Sequence, residues 1–284
     1  MPGLVDYLII LAGISSATQA APYKRKRAPS GVPDYVVGYA PLVYLYSNEK
    51  YMPSDIGAQL ANTKAKHSYD DITSAPNPLT LDNLSDLNQE GGEDVFLTSI
   101  IDPTTGPAWL EGVKPSGGGI TDGAKSCAVI VHDHSNGTVD AYYMYFYAFN
   151  YGGYYLDQFN IGNHVGDWEH TMVRFVNEEP HSIWYSQHTF GEAFEYNAVE
   201  KFADGKRPVV YSANGTHANY ATTGKHNHAI PNVLFPGGIV VDTTDKGIEW
   251  DPVASAYFYT FDAGSKTFQA YDDSTPVKYL DFVG

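Results

Sequence analysis

Asn163-His164-Val165-Gly166-Asp167-Trp168-Glu169-His170-Thr171-Met172-Val173-Arg174-Phe175 runs from a polar loop into a segment rich in strand-forming residues. Successive side chains on a strand point to opposite faces, so residues two apart share one. Asp167, Glu169, Thr171, Val173 and Phe175 therefore line one face, while Trp168 and His170 line the other. The first face is mostly apolar yet opens with two acids. Desolvating two carboxylates is costly unless something compensates them. A bound metal ion is the expected compensation, with His164 close enough in sequence to join it. The alternative is that Asp167 and Glu169 bond to backbone amides or to Arg174.

Outward from this stretch, strand signals dominate. Segments 35–46, 95–100, 127–132, 139–151, 168–176, 182–188, 208–212, 238–242 and 256–261 are rich in Tyr, Phe, Val and Thr and are bounded by Gly, Pro, Asn and Asp. Helical signals are few: Ser54 to Leu60 after Pro53 reads as a short capped helix, and 83–87 as a further turn. Residues 112–123, with Gly117, Gly118, Gly119 and Gly123, read as a mobile surface loop. No linker, low-complexity break or repeat interrupts the chain, so residues 28–284 form one domain. The expected class is all-β and mainly antiparallel: a two-sheet β-sandwich, lectin-like or jelly-roll-like, with long loops and a few short helices. The segment 139–151 carries Tyr142, Tyr143, Tyr145, Phe146, Tyr147, Phe149 and Tyr151, so both of its faces are expected to be covered.

The chain's start reads as a targeting segment. Leu4 to Ile14 is too short to span a bilayer, and with the small residues through Ala20 it resembles a secretory signal, residues 1–20. Lys24-Arg25-Lys26-Arg27 resembles a processing site, which makes 21–27 a basic pro-segment. No later stretch reads as a transmembrane helix. The net charge is −16, and losing residues 1–27, with four basic groups and Asp6, takes it to −19. Such an acidic surface argues against nucleic acid, which needs basic patches. It suits cation binding and an acidic compartment, so the expected location is the secretory pathway, extracellular or vacuolar lumen. Cys127 is the single cysteine, so no intramolecular disulfide can form. Three sequons, at Asn83, Asn136 and Asn214, fit a glycoprotein.

Chemistry concentrates in a few places. Asp157, His164, Asp167 and Glu169 are the candidate metal ligands. Carboxylate oxygens suit Ca²⁺ or Mg²⁺, whereas a His ligand would tilt the choice to Mn²⁺ or Zn²⁺. His188 and His217 each follow a strand, where sites are usually built. With the rim tyrosines Tyr151 and Tyr185 they are candidate contacts for a sugar ring. The loop Asp242-Thr243-Thr244-Asp245-Lys246-Gly247 reads as a solvated turn. Nucleophilic catalysis lacks its usual signatures, for no Gly-x-Ser-x-Gly elbow or phosphate loop occurs. If the protein is an enzyme, Glu169 and His188 are the acid and base.

Several segments together resemble the vacuolar protein sorting-associated protein 62 family of fungi. They are Tyr39-Ala40-Pro41-Leu42-Val43-Tyr44-Leu45, Glu49 to Ile56, Val165 to His170, Tyr185-Ser186-Gln187-His188, Arg207 to Ala213, Thr216 to Tyr220 and Trp250-Asp251-Pro252, within residues 34–284. A shorter likeness is to the secreted necrosis-inducing proteins of microbes, whose motif Gly-His-Arg-His-Asp-Trp-Glu precedes Ser-x-His-Gly. Its His, Asp and Glu fall on His164, Asp167 and Glu169, an upstream Asp near Asp157, and its Ser-x-His on Ser186-Gln187-His188. Gly166 and Thr189 depart from that pattern, and its disulfides are absent. The resemblance implies a lectin-like sandwich, a divalent cation at these positions and recognition of sphingolipid sugars. The resulting expectation is a divalent-cation-dependent binding module for a glycan or glycolipid head group. The alternative is a metal-dependent hydrolase acting on a glycosidic or ester bond.

Overall fold

The computed structural model describes residues 28–155, 159–228 and 240–284. The signal-like stretch 1–20, the basic segment 21–27 and Asp157 lie outside the described residues. In chain order the main strands are β1 (Leu42–Leu45), β2 (Cys127–Asp133), β3 (Thr138–Asn150), β4 (His164–Val176), β5 (Glu179–Gln187) and β6 (Phe190–Glu195). After them come β7 (Val209–Ser212), β8 (Asn219–Tyr220), β9 (Ile248–Trp250), β10 (Ala256–Asp262) and β11 (Thr267–Ala270). One sheet has the order β8-β7-β1-β9 and the other β6-β5-β4-β3-β2-β10-β11. The pairs β1–β7 and β2–β10 are parallel, and the remaining neighbours in these two sheets are antiparallel.

The two sheets are layers of one sandwich because they share a core. Val43, Leu45, Val210 and Trp250 from the smaller sheet pack with Val129, Tyr143, Tyr145, Tyr147, Val173, Phe175, Ile183 and Tyr185 from the larger. Alternation makes this inevitable: the odd-numbered residues of β3 and β4 face inward, where each buried large side chain is worth about 1.5–3 kcal/mol. Buried phenols find partners, with the Tyr143 hydroxyl donating to Val36 O at 2.6 Å and that of Tyr145 2.6 Å from Thr171 Oγ1. The opposite face of β3 is covered too. There Phe146 joins Ile56, Leu60, Leu87, Val95 and Tyr259 in a second core.

Strands β3 and β4 pair in one register from Thr138 opposite Val176 to Asn150 opposite His164, broken only between Tyr147–Asp167 and Phe149–Val165, where Gly166 leaves the ladder. This long ladder fixes two separate ends of the molecule. Asp140 and Arg174 face each other near one end, while Tyr147 and Asp167 face each other near the other.

Local signals held at the short helix: Asp55 caps the helix Ile56–Ala61, its carboxylate accepting from Ala58 N at 2.7 Å. They failed at 35–46, where Asp34–Gly38 is a helical turn after Pro33 and the strand starts only at Leu42. Pro33 presets the backbone for a helix start, and the β-branched residues then pack inward as Val36. The glycine-rich stretch 112–123 is irregular but pinned, which corrects its reading as a mobile surface loop. Val113 N donates to Pro53 O and Asp251 N to Gly119 O, each at 2.8 Å. At Gly112 (φ +66°) a Cβ would stand 2.1 Å from Met52 O, so only glycine fits. Among the described residues no helix is long and apolar enough to cross a membrane.

Candidate functional site

Asp167 and Glu169 open the inner face of β4 and are 7% and 6% exposed. Gly166 precedes them with φ +76°, a left-handed kink inside a strand, where a Cβ would lie 3.1 Å from Gln59 Nε2. Arg174 is not their partner. Its Nε and Nη2 each donate to Asp140 at 2.7 Å, toward the other end of the β3–β4 ladder.

The compensation comes from histidines. His217 is fully buried, and its ring lies parallel to Tyr147 with centroids 3.7 Å apart. Its Nδ1 sits 2.9 Å from Asp167 Oδ2 and its Nε2 2.9 Å from Tyr51 O. A main-chain carbonyl only accepts, and so does an ionised carboxylate, so the partners assign a proton to each ring nitrogen. His164 approaches the other side of Asp167, with Nε2 3.5 Å from Oδ1. Burial alone would raise the Asp167 carboxyl, but hydrogen bonds from His164 and His217 outweigh it and hold the group below its ordinary value. His164 is correspondingly raised by Asp167.

Glu169 has no such help. Burial pushes its carboxyl well above the ordinary value, the neighbouring Asp167 charge adds to that, and a Ser186 hydrogen bond only partly offsets it. Its Oε2 has no hydrogen-bond partner among the described residues. Such an atom costs about 1–3 kcal/mol to bury. Glu169→Gln should therefore raise stability by about 1–3 kcal/mol at neutral pH in chelator. The native state holds the Glu169 proton more tightly than the unfolded chain, so its contribution is full below the ordinary glutamate value of 4.5 and fades as pH rises through the raised folded value. The wild type should thus lose ground to the variant as pH rises above 4.5, as thermal melts at increasing pH would show. Parallel melting curves would contradict it.

Close enough to Glu169 for its charge to act on it lies a third buried carboxylate, Asp242, 2% exposed. Thr216 Oγ1 donates to its Oδ1, and Tyr220 OH and His188 Nε2 meet its Oδ2, all at 2.7 Å. The reading of 242–247 as a solvated turn is thereby corrected for Asp242, which is a structural hub. Val240 and Val241 before it were the available signal, since they mark a strand, Val240–Thr244. Asp245 does sit in a turn, accepting from Ser47 N at 2.8 Å.

Sequence-predicted residues thus divide. His164, Asp167 and Glu169 come together; Asp157 lies outside the described residues. Among the described residues no group of three or more His, Cys, Asp or Glu side chains converges to hold an ion. His188 stays half-exposed at the rim beside Asp242, with side-chain exposure of 28%. His217 is a buried brace beneath Asp167 rather than a ligand contact. Tyr185 is also excluded from ligand contact: it is fully buried, its hydroxyl donating to Val209 O at 3.0 Å. Tyr151 is 43% exposed and sits 6.0 Å from the Tyr51 ring, with Tyr154 6.5 Å beyond. Glu49 was missed. It is nearly buried, accepts from Lys50 N, Tyr51 N and Gly215 N, and so ties the loop carrying His217 to the loop carrying Tyr51. Nothing local to Glu49 reveals this, because Gly215 is 166 residues away. Asn136 and Asn214 are exposed and Asn83 is half-buried.

Comparison with known proteins adds a family. The family model described as vacuolar protein sorting-associated protein 62 matches residues 29–244. A Saccharomyces cerevisiae protein named as a vacuolar protein sorting-associated protein, TDA6, is 39% identical, covering 90% of this chain and 60% of its own length. Vacuolar protein sorting-associated protein 62 of the same yeast is 36% identical, covering 92% and 60%. The chain therefore spans about three fifths of the length of these curated relatives. Among solved structures, NLPPya in complex with mannosamine matches with TM-score 0.36 and 16% identity over 72% of this chain and 73% of that one. The Necrosis and Ethylene inducing Protein 2 from the causal agent of cocoa's Witches Broom disease matches with TM-score 0.33 and 16% identity over 70% and 72%. The sandwich itself rests on this chain's own sheets and shared core.

Proposed function

This chain belongs to the vacuolar protein sorting-associated protein 62 family, and from that premise we propose that it is a binding module of the secretory pathway or vacuole. In this reading the sandwich rim holds a divalent cation and, through it, a hydroxyl-rich ligand such as a glycan or glycolipid head group. The observation that carries the reading is Glu169 Oε2, an unpartnered carboxylate oxygen on a side chain 6% exposed, beside Asp167. Protein interiors rarely keep such an atom without a use. Asp167 and Glu169 would hold the ion through oxygen, which favours Ca²⁺ or Mg²⁺, with His164 at its edge. Bound there, a cation supplies positive charge that orients hydroxyl groups. Two carboxylates and one histidine leave most of a coordination shell for water and ligand. Tyr151 and Tyr154 offer exposed ring faces nearby.

Calorimetric titration of Ca²⁺, Mg²⁺ and Mn²⁺ tests the cation. Wild type should bind one of them, and Asp167→Asn and Glu169→Gln should weaken it at least roughly tenfold. Equal heats from all three proteins would defeat the reading. Glycan retention with and without chelator then tests the ligand, which should be lost on chelation.

A hydrolytic reading has one observation in its favour. Glu169 is held toward its protonated form, the state a general acid needs, and His188 is oriented by Asp242 at 2.7 Å. Turnover of chromogenic glycosides or esters that disappears in Glu169→Gln separates this reading from simple binding.

A further inference from the structure

We propose that His132 and His134 form a second, separate metal site, a two-histidine chelate for a nitrogen-preferring divalent ion such as Zn²⁺, Ni²⁺ or Cu²⁺. His132-Asp133-His134 closes β2, and His134 N still donates to Thr138 O at 3.0 Å, so the extended ladder continues through it. Residues two apart on a strand share a face, and the two imidazole rings stand 4.2 Å apart between centroids. The nitrogens of two imidazoles on one tetrahedral ion lie about 3.4 Å apart, a spacing that rings this close can adopt.

Each ring is oriented as a ligand is. His132 Nδ1 lies 3.1 Å from Phe261 O, which only accepts, so that nitrogen carries the proton and Nε2 keeps its lone pair. His134 Nε2 lies 2.9 Å from Asp140 Oδ2, and Asp140 is clasped by both Nε and Nη2 of Arg174. That carboxylate draws the proton to Nε2 and leaves Nδ1 bare. A histidine that binds metal with one nitrogen usually donates its other N–H to a carboxylate or carbonyl, and here one ring has each kind of partner. The rings line an open cavity of about 480 Å³ together with Asp133, Thr260, Phe261 and Asp262. Imidazole nitrogen suits Zn²⁺, Ni²⁺ and Cu²⁺ over Ca²⁺ or Mg²⁺, and the acidic surface concentrates cations. Among the described residues no third ligating side chain converges with the pair, so water or a solute completes the shell. Asp140 and Tyr147 are seven residues apart on β3, which at about 3.3 Å per residue puts this site roughly 20 Å from the Asp167 cluster. The two sites are therefore independent.

Titrating Cu²⁺ into the full chain and recording its electron paramagnetic resonance tests the proposal. One tight equivalent with splitting from two nitrogens is expected, and a first equivalent without nitrogen splitting overturns it. In Zn²⁺ calorimetry, His132→Gln and His134→Gln should each weaken binding at least tenfold, whereas Asp167→Asn should leave it unchanged. Wild-type Zn²⁺ binding by His132→Gln, whose half-buried ring hydrogen-bonds a main-chain carbonyl and packs on His134 and Phe261 near the strand end, outside the shared core, overturns the assignment. If His134→Gln fails to fold, the His132→Gln titration and the wild-type spectrum still decide.

Discussion

Replacing His217 by alanine is expected to cost about 3–5 kcal/mol of stability, the usual penalty for removing one partner of a buried ion pair. The ring is fully buried, lies flat on Tyr147 and is the link between Asp167 and the Tyr51 carbonyl. Its loss strands a carboxylate that is itself 7% exposed, beside a second, unsatisfied one. For a domain of this size the melting temperature should fall by roughly 8–15 °C. The backbone at His217 is left-handed, with φ +58°. Asparagine tolerates that conformation and keeps an amide donor, so His217→Asn should lose only part of the stability. Urea denaturation of both variants checks the order. An alanine variant melting within about 2 °C of wild type would show that Asp167 is satisfied by something other than this ring.

Arg207→Ala should be comparably severe, also about 3–5 kcal/mol. Arg207 is 6% exposed, and its guanidinium meets Asp251 twice, at 2.8 and 2.6 Å, while donating to Ala40 O at 2.7 Å and Pro41 O at 2.9 Å. It therefore ties the entry to β1, the entry to β7 and the exit from β9 to one point inside the smaller sheet. Lysine keeps the charge but not the planar fork, so Arg207→Lys should recover less than half of the loss. A lysine variant as stable as wild type in denaturant titration would mean that charge alone, not the fork, holds the junction.

These two residues show how much was legible beforehand. Both fall in segments that carry the family resemblance, Thr216 to Tyr220 and Arg207 to Ala213, yet neither segment shows what its polar residue grips. Alternation along 139–151 and 168–176 located β3 and β4, although β4 starts four residues earlier at His164, and put Asp167 and Glu169 on one face. The same reasoning missed β6, β8, β9 and β11, which are short or polar, because edge strands need only one buried face. It took Tyr185 for a rim residue although its strand lies inside the larger sheet. Asp242 read as turn chemistry because its donors come from Thr216, Tyr220 and His188, 22 to 54 residues away in sequence.

Sequence alone determined the class of fold, the pairing of two acids on one strand face and the family, because period-two alternation and local motifs act over a few residues. Tertiary structure decided what surrounds those acids. A sandwich brings the strand ends at residues 164 and 186 and the loops at residues 49 and 217 to one end of the β3–β4 ladder, and only that convergence makes His217 the counter-charge of Asp167 while leaving Glu169 without one. Electrostatic compensation acts through space over a few ångströms, and the chain order carries no record of which distant segments end up that close.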